Sequence, residues 1–413
     1  LILAGSFWDW NGLADGDNIV QYQNGSWSAL GTGVNGPVYA LAADASGGLF
    51  VGGSFTAAGG VSCDNLAKWN GSTWANIGNA SSGVYGLAVG PDGYLYVGGL
   101  FTTIGGVSAN YIARWTGTAW QALGTGMNGQ VTGLCFGPDG CLYAWGLFST
   151  AGGVTVNNIA KWDGSTWSSW AGGMGGTAQE VKAAVFGPDG TLYATGAFTS
   201  AGGVSCARIA AWNGASWQAL GGGLNNVGTQ LTVDVNGMLW VGGDFTAVDG
   251  DLLLTDHLAR WNGHTWLPAD IDLYGTATVY ALHADPLGNL HLGHSATGGA
   301  HYYAAATTVT YGGTAAAWPV ITVKGPGRIQ SLRNATTGQE ITCDMWVNAD
   351  EIVTFDLTPG QKRVYSHWRG NLLGKVKPGS ALTAWGLVPA PQAANGQNVV
   401  TLFVTSPTGN TAA

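Results

Sequence analysis

The sequence predicts an all-β chain, a β-propeller followed by a small β-sandwich, and three observations predict it. A motif of the form W-N-G-x-x-W returns through most of the chain, its first aromatic falling at Tyr22, Trp69, Trp115, Trp162, Trp212, Trp261 and, in a worn form, Tyr311, a period of 46 to 50 residues. Each copy is preceded by a hydrophobic strand that ends in glycine, as in LFVGGSF (49–55), LYVGGLF (95–101) and LWVGGDF (239–245). From about Trp318 the glycine doublets vanish and the charged residues rise, which marks a second domain. The division is 1–317 for the propeller and 318–413 for the sandwich.

Within a unit the elements follow in a fixed order. An apolar run such as VYGLAVGPDG (84–93) or VKAAVFGPDG (181–190) alternates apolar with small residues and enters a Pro-Asp-Gly turn, the chemistry of a hairpin. The V-G-G strand comes next, then a loop rich in Gly and Ala, then a strand of the IARW type, then a short W-x-A-L-G strand after the Asn-Gly turn. Four short strands cannot bury both of their faces alone, so successive units must stack sheet on sheet, and a closed propeller does this. Strands of the V-G-G type number seven and strands before the turn number six, so seven blades are expected, with six as the alternative. Leu1 opens directly on a strand of the V-G-G type, LILAGSF, and the natural polypeptide is therefore expected to extend upstream.

Composition agrees and limits the partners. Seventy Gly and only 9% charged residues describe tight turns and small packed strands. A net charge of −9 with 14 Lys plus Arg argues against nucleic acid, which selects a basic groove. The apolar stretches are strand-length and broken by Gly, so no membrane insertion is expected. Of the five cysteines, Cys63 and Cys206 occupy the same G-G-V-S-C slot in different units, whereas Cys135 and Cys141 flank one turn, either facing each other across it or staying reduced.

The repeats resemble the kelch and galactose-oxidase class of propeller repeat in their double Gly and downstream aromatic pair. That resemblance implies architecture and leaves activity open. The C-terminal segments VITVKGPG (320–327), NATTG (334–338), EIVTFDLTPG (351–360) and VKPGSALTAWGL (376–387), followed by Pro389 and N-V-V at 398–400, resemble the C-terminal β-sandwich of distal tail proteins and related tail components of long-tailed bacteriophages. The resemblance implies docking of this domain on other virion tail proteins.

Catalysis is not expected. A glycosidase needs two converging carboxylates, and Asp92, Asp139 and Asp189 sit in the Pro-Asp-Gly turns, where an Asp side chain bonds its own backbone. A copper site would gather Tyr and His at the axis, whereas His257, His264, His283, His291, His294 and His301 cluster late in the chain, with His291 and His294 on opposite faces of one strand. The repeated tryptophans read as packing between blades.

Departures of one unit from its siblings are the candidate sites. In the first unit SFWDWNGLADGDN replaces SFTAAGGVSCDN, so Trp8 and Trp10 stand on a loop where they suit stacking on sugar rings. His301, Tyr302 and Tyr303 form a second off-pattern patch, expected in a loop of the seventh unit. Asp9, Asn11, Asp15 and Asp17 share the first loop, and Asp244, Asp249 and Asp251, with Asp256, crowd the sixth. Both loops read either as calcium ligands or as solvated acidic loops; no cofactor other than calcium is expected.

Joined to the C-terminal resemblance, these features read as a non-catalytic structural and host-recognition component of a bacteriophage tail. Its propeller would bind a glycan or protein of the host cell surface, and copies of the chain would associate to gain multivalency. The alternative is an extracellular adhesive or filament-forming protein of a bacterium, at the cell surface or secreted. A second alternative is a secreted carbohydrate-active enzyme of the kelch class.

Overall fold

The computed structural model describes residues 1–303 except 8–11, 14, 24–25, 45, 177–178, 236, 256, 270–277, 286–289 and 295–299, and beyond them the backbone of the strands between 307 and 405. Every named element among the described residues is a strand. No helix there is long and apolar enough to cross a membrane.

Five units form four-stranded antiparallel sheets, taken here as units two to six. In unit two the order is Val38–Ala43 (inner), Leu49–Gly53 (second), Leu66–Trp69 (third) and Trp74–Asn76 (outer). The others repeat it, with inner strands at Val84–Val89, Gln130–Phe136, Val181–Phe186 and Gly228–Val233. Unit one has three strands, Ile2–Ala4, Ile19–Gln23 and Ser26–Ala29. Unit seven contributes Val279–Ala284, Leu290–His294 and Ala300–Tyr303.

Between the second and third strands stands a small hairpin, such as Ala57–Ala58 with Val61–Ser62 in unit two. Antiparallel register puts Val38 opposite Gly53, so these hairpins and the starts of the inner strands share one end of each blade. The Pro-Asp-Gly and W-N-G-x-x-W turns occupy the other. The first is called the loop end below.

The core lies between units. Six apolar clusters each join residues of two successive units, for example Phe50 and Leu66 of unit two with Val84, Leu95 and Phe101 of unit three. The second Trp of the motif closes each seam. Trp74 Nε1 donates to the Leu30 carbonyl at 2.8 Å, Trp120 to Ile77 at 2.7 Å, Trp167 to Leu123 at 2.9 Å, Trp217 to Ala171 at 3.1 Å and Trp266 to Leu220 at 2.8 Å. The acceptor in every case belongs to the preceding unit. The repeated tryptophans are thus packing residues between blades, as their repetition implied.

The same seam explains the glycine doublet. A Cβ on Gly52 would run into Val84 of the next unit, and one on Gly53 into the Pro37 carbonyl. Gly98 and Val131, and Gly242 and Val279, repeat the first relation. Between units five and six the pair is inverted: Thr195 stands in the glycine position and Gly228 in the valine position, and a Cβ on Gly228 would meet the Thr195 hydroxyl. Thr195 is fully buried and donates from Oγ1 to the Arg208 carbonyl at 2.8 Å.

The C-terminal strands lie in two sheets. Val320–Lys324, Ile352–Asp356, Arg363–Ser366 and Gly370–Asn371 make one. Gly327–Asn334, Gln339–Val347 and Gln397–Thr405 belong to the other, which Tyr303 opposite Thr405 joins to unit seven. Packing of the two sheets as a sandwich is a matter of side chains outside the described set.

Candidate functional site

The inner strands share one irregularity. In unit two Val38 pairs with Gly53 and Ala40 with Gly52, so Tyr39 is bulged out of the ladder. The same slip bulges Tyr85, Thr132, Lys182, Thr229 and Tyr280 in the five units that follow. A bulge re-aims its side chain while leaving the flanking ladder intact. The bulged residue is Tyr, Tyr, Thr, Lys, Thr, Tyr, following a valine in every unit but the sixth, where Gly228 stands.

Tyr39, Tyr85, Thr132 and Lys182 line a cavity of about 680 Å³ that the inner strands surround. The Tyr39 and Tyr85 rings stack 5.0 Å apart at 17°. Tyr39 is 48% exposed and Tyr280 60%, unusual for large side chains on the innermost strand of a blade. Thr132 Oγ1 donates to the Val181 carbonyl at 2.8 Å, and Thr229 Oγ1 to the Val279 carbonyl, so the two threonines tie neighbouring units together. Lys182 holds Glu180 at 2.9 Å. Burial, and then the neighbouring Tyr39, raises the Tyr85 hydroxyl above the ordinary phenol value, which keeps it a neutral donor. Beyond the ring the cavity turns apolar, with Leu41, Leu87, Leu134, Leu231 and Leu282 and the side of Trp145.

An aromatic pair, an ammonium group and the Gln230 amide around one opening can stack on a ring and hydrogen-bond its substituents. His283 and His291 line the same cavity. Asp92, Asp139 and Asp189 each accept from the backbone two residues on, at 3.0 to 3.1 Å. Asp92 and Asp139 also accept from Tyr96 and Tyr143 hydroxyls.

The histidine patch follows the same turn logic. His291 pairs across the ladder with His283, and its Nε2 lies 3.2 Å from Asp285 Oδ2. Tyr96, Tyr143 and Trp240 make the equivalent contact from the equivalent strand position, so His291 is a turn lock of the same kind. Desolvation, followed by the neighbouring His291, lowers the His283 pKa, favouring its neutral form.

Of the residues singled out in the sequence, Trp8, Asp9, Trp10 and Asn11 lie outside the described residues. Asp15 is exposed and Asp17 half-buried, between the second and third positions of unit one. Asp244 Oδ1 accepts from Thr278 Oγ1 at 2.6 Å. Asp249 takes the first glycine position of the unit-six hairpin at φ 59°, and its Oδ1 accepts from Gly222 N at 2.8 Å. Asp251, at φ 70°, is exposed on that hairpin. Among the described residues no three His, Cys, Asp or Glu side chains are grouped to hold a metal. His301, Tyr302 and Tyr303, expected in a loop, instead form a strand whose backbone pairs with Leu292, His291 and Leu290. Cys63, Cys135, Cys141 and Cys206 are free thiols. Cys135 faces Tyr143 rather than Cys141 in its ladder, and burial pushes its thiol up to about 12.

All the described candidate loops stand at the loop end, the end that carries the bulge ring. Sequence reading missed the ring itself. Its signal was the position after the inner valine, where Tyr, Thr and Lys replace one another.

Residues 90–115 and 187–210 match the family model described as "Domain of unknown function (DUF5122) beta-propeller". Each stretch runs from the turn through the V-G-G-type strand toward the third strand. No curated protein matches the chain. Among solved structures the chain is similar to PorZ, a bacterial surface component of the type-IX secretion system of Porphyromonas gingivalis, at 13% identity and TM-score 0.47, covering 84% of this chain and 55% of that one. It is similar to the extracellular domain of a one-component system of B. thetaiotaomicron at 12% identity and TM-score 0.36, covering 80% and 45%. A virginiamycin B lyase of Staphylococcus aureus follows at 12% and 0.42, covering 64% and 80%. The chain therefore spans about half the length of the first two.

Proposed function

We propose that the chain is a non-catalytic recognition module of an extracellular bacterial surface protein, binding a glycan through the loop end of its propeller axis. The observation that carries this is the bulge ring: one backbone feature, repeated in six units, presents Tyr, Tyr, Thr, Lys, Thr and Tyr at the loop end of the inner strands. Two of the six bulged residues, Thr132 and Thr229, are engaged across the seams, while Tyr39 and Tyr280 are left exposed for a ligand. The stacked Tyr39 and Tyr85 offer a face to a sugar ring, with Lys182 and Gln230 on the same cavity to bond its hydroxyls. The turn carboxylates are engaged by their own backbone, which supports binding without turnover.

The tail-tip reading requires residues 318–413 to dock on a virion, whereas the surface reading requires the propeller alone. For that reason we place the surface setting first.

The test is a glycan array followed by titration of the best ligand against Tyr39→Ala/Tyr85→Ala. The double variant is expected to bind at least about tenfold more weakly, the loss typical of a removed aromatic anchor, with an unchanged circular dichroism spectrum and melting midpoint. Binding equal to that of the parent would remove the ring from the site. Hydrolysis of any array ligand would refute the non-catalytic reading.

A further inference from the structure

Lys182 is the one charged side chain among the six bulged positions, and its neighbours hold it at three points. Thr132 Oγ1 of unit four donates to the Val181 carbonyl at 2.8 Å, just before the bulge. Trp145 Nε1, also of unit four, donates to the Lys182 carbonyl at 3.4 Å. Glu180 Oε1 lies 2.9 Å from the ammonium nitrogen. Trp145 is itself a departure, because glycine stands at its position in units two, three, six and seven (Gly52, Gly98, Gly242 and Gly293). It lies opposite Gly133, where a Cβ would run into the indole. A large residue and the glycine that admits it thus occur together where the indole reaches the lysine. A group fixed in this way is ordered before a ligand arrives, so it adds selectivity at little entropic cost.

The charge around Lys182 is the second observation. Its ammonium enters the cavity already matched by the Glu180 carboxylate. The other cations of units two to six are engaged elsewhere. Lys68 and Lys161 hold Asp44 and Asp139 at the opposite end of the blades. Arg114 and Arg260 lie over Tyr94 and Trp240, and Arg208 Nη1 donates to the Leu224 carbonyl at 3.0 Å. On the cavity itself burial favours neutral His283, and His291 is engaged by Asp285. Residues 1–317 carry 18 Asp plus Glu against six Lys plus Arg. An anionic sugar would therefore approach a negative surface and find the ring's cation already neutralised.

We infer that the ring selects neutral sugars, and that Glu180 is the residue that excludes acidic ones. The inference rests on the glycan reading of the same ring. An ammonium group has three donors, so Lys182 keeps donors for a sugar hydroxyl while it is bonded to Glu180. A uronate or sialate carboxylate that reached for Lys182 would instead meet the Glu180 carboxylate and be repelled. Specificity of this kind comes from a placed repulsion rather than from an added contact. Glu180 thereby does two things at once, aiming the ammonium and cancelling its charge.

The test is a panel of neutral hexopyranose oligosaccharides, each beside its counterpart oxidised at C6 to the uronic acid, titrated with the intact chain. The parent is expected to bind a neutral member and to bind its uronic counterpart at least about tenfold more weakly. Glu180→Gln is expected to bind that uronic counterpart at least about threefold more tightly than the parent does, a gain that high salt erases. Adding Lys182→Gln is expected to abolish the gain. Glu180→Ala, read in parallel with melting midpoints, is expected to show the same gain, so the outcome does not hang on one variant's folding. A parent that prefers uronic members, or charge-removing variants whose ratio of uronic to neutral binding equals the parent's, overturns the inference and leaves the glycan reading standing. A parent that holds no member of either set removes the glycan reading, and the inference with it.

Discussion

Trp74, Trp120, Trp167, Trp217 and Trp266 each combine a large buried ring with one directed hydrogen bond into the preceding unit. The two contributions separate by substitution. Trp120→Phe keeps most of the packing but strands the Ile77 carbonyl, and is expected to cost about 1–2 kcal/mol. Trp120→Ala adds a cavity and is expected to cost about 3–5 kcal/mol. Chemical denaturation of both variants checks this; equal losses would show that the indole N–H contributes nothing. The role of these tryptophans was legible in the sequence, because a residue present in every unit answers to a contact present in every unit. Tyr39, Tyr85 and Lys182 were not legible as a group. Their common feature is a one-residue slip of register, which apolar periodicity does not record.

At the scale of elements, the turn between inner and second strands is held from two directions. Its carboxylate caps its own backbone, and a residue from a neighbouring strand reaches it: Tyr96 to Asp92, Tyr143 and Lys161 to Asp139, Lys68 to Asp44. The hydrogen bond from Lys68, followed by that from Ser46, holds the Asp44 carboxyl well below the ordinary carboxylate value of 3.8. A carboxyl with a depressed folded pKa stabilises the fold above its unfolded value and loses that contribution as pH falls from 3.8 through the folded value. Asp44→Asn is therefore expected to lower the melting midpoint at neutral pH and to flatten its decline below pH 3.8, relative to the parent. Parallel acid limbs in the two proteins would exclude Asp44 as a contributor. The turns themselves were readable from Pro-Asp-Gly. The strand at Ala300–Tyr303 was not, because the worn seventh unit shortens the loop before its third strand and lacks the IARW pattern that announces that strand in its siblings.

For the whole molecule, the period alone gave the propeller: a four-strand unit with both faces apolar has no way to exist except against a neighbour. The order of the C-terminal strands was less accessible, since Gln397–Thr405 pairs with Gly327–Asn334 across some sixty residues of chain. What the period hides is that the seams differ. Gly228→Val, which restores the residue of the sibling units, is expected to cost about 1–3 kcal/mol because Thr195 already fills the space. Combining it with Thr195→Gly is expected to recover most of that loss, with a coupling above about 0.5 kcal/mol. Additive losses in a double-mutant cycle would show that the two positions are independent.

The inverted pair between units five and six has a consequence for descent. A blade copied by recombination carries the glycine or threonine of one seam and the valine or glycine of another, and its two borders answer to two different neighbours. Tandem duplication of the unit that begins at Gly228 would set the valine-less edge of one copy against Gly242 of the other, leaving a hole that nothing fills. The piece of chain that can be inherited intact is then not the blade but the joint, from the second strand of one unit to the first strand of the next.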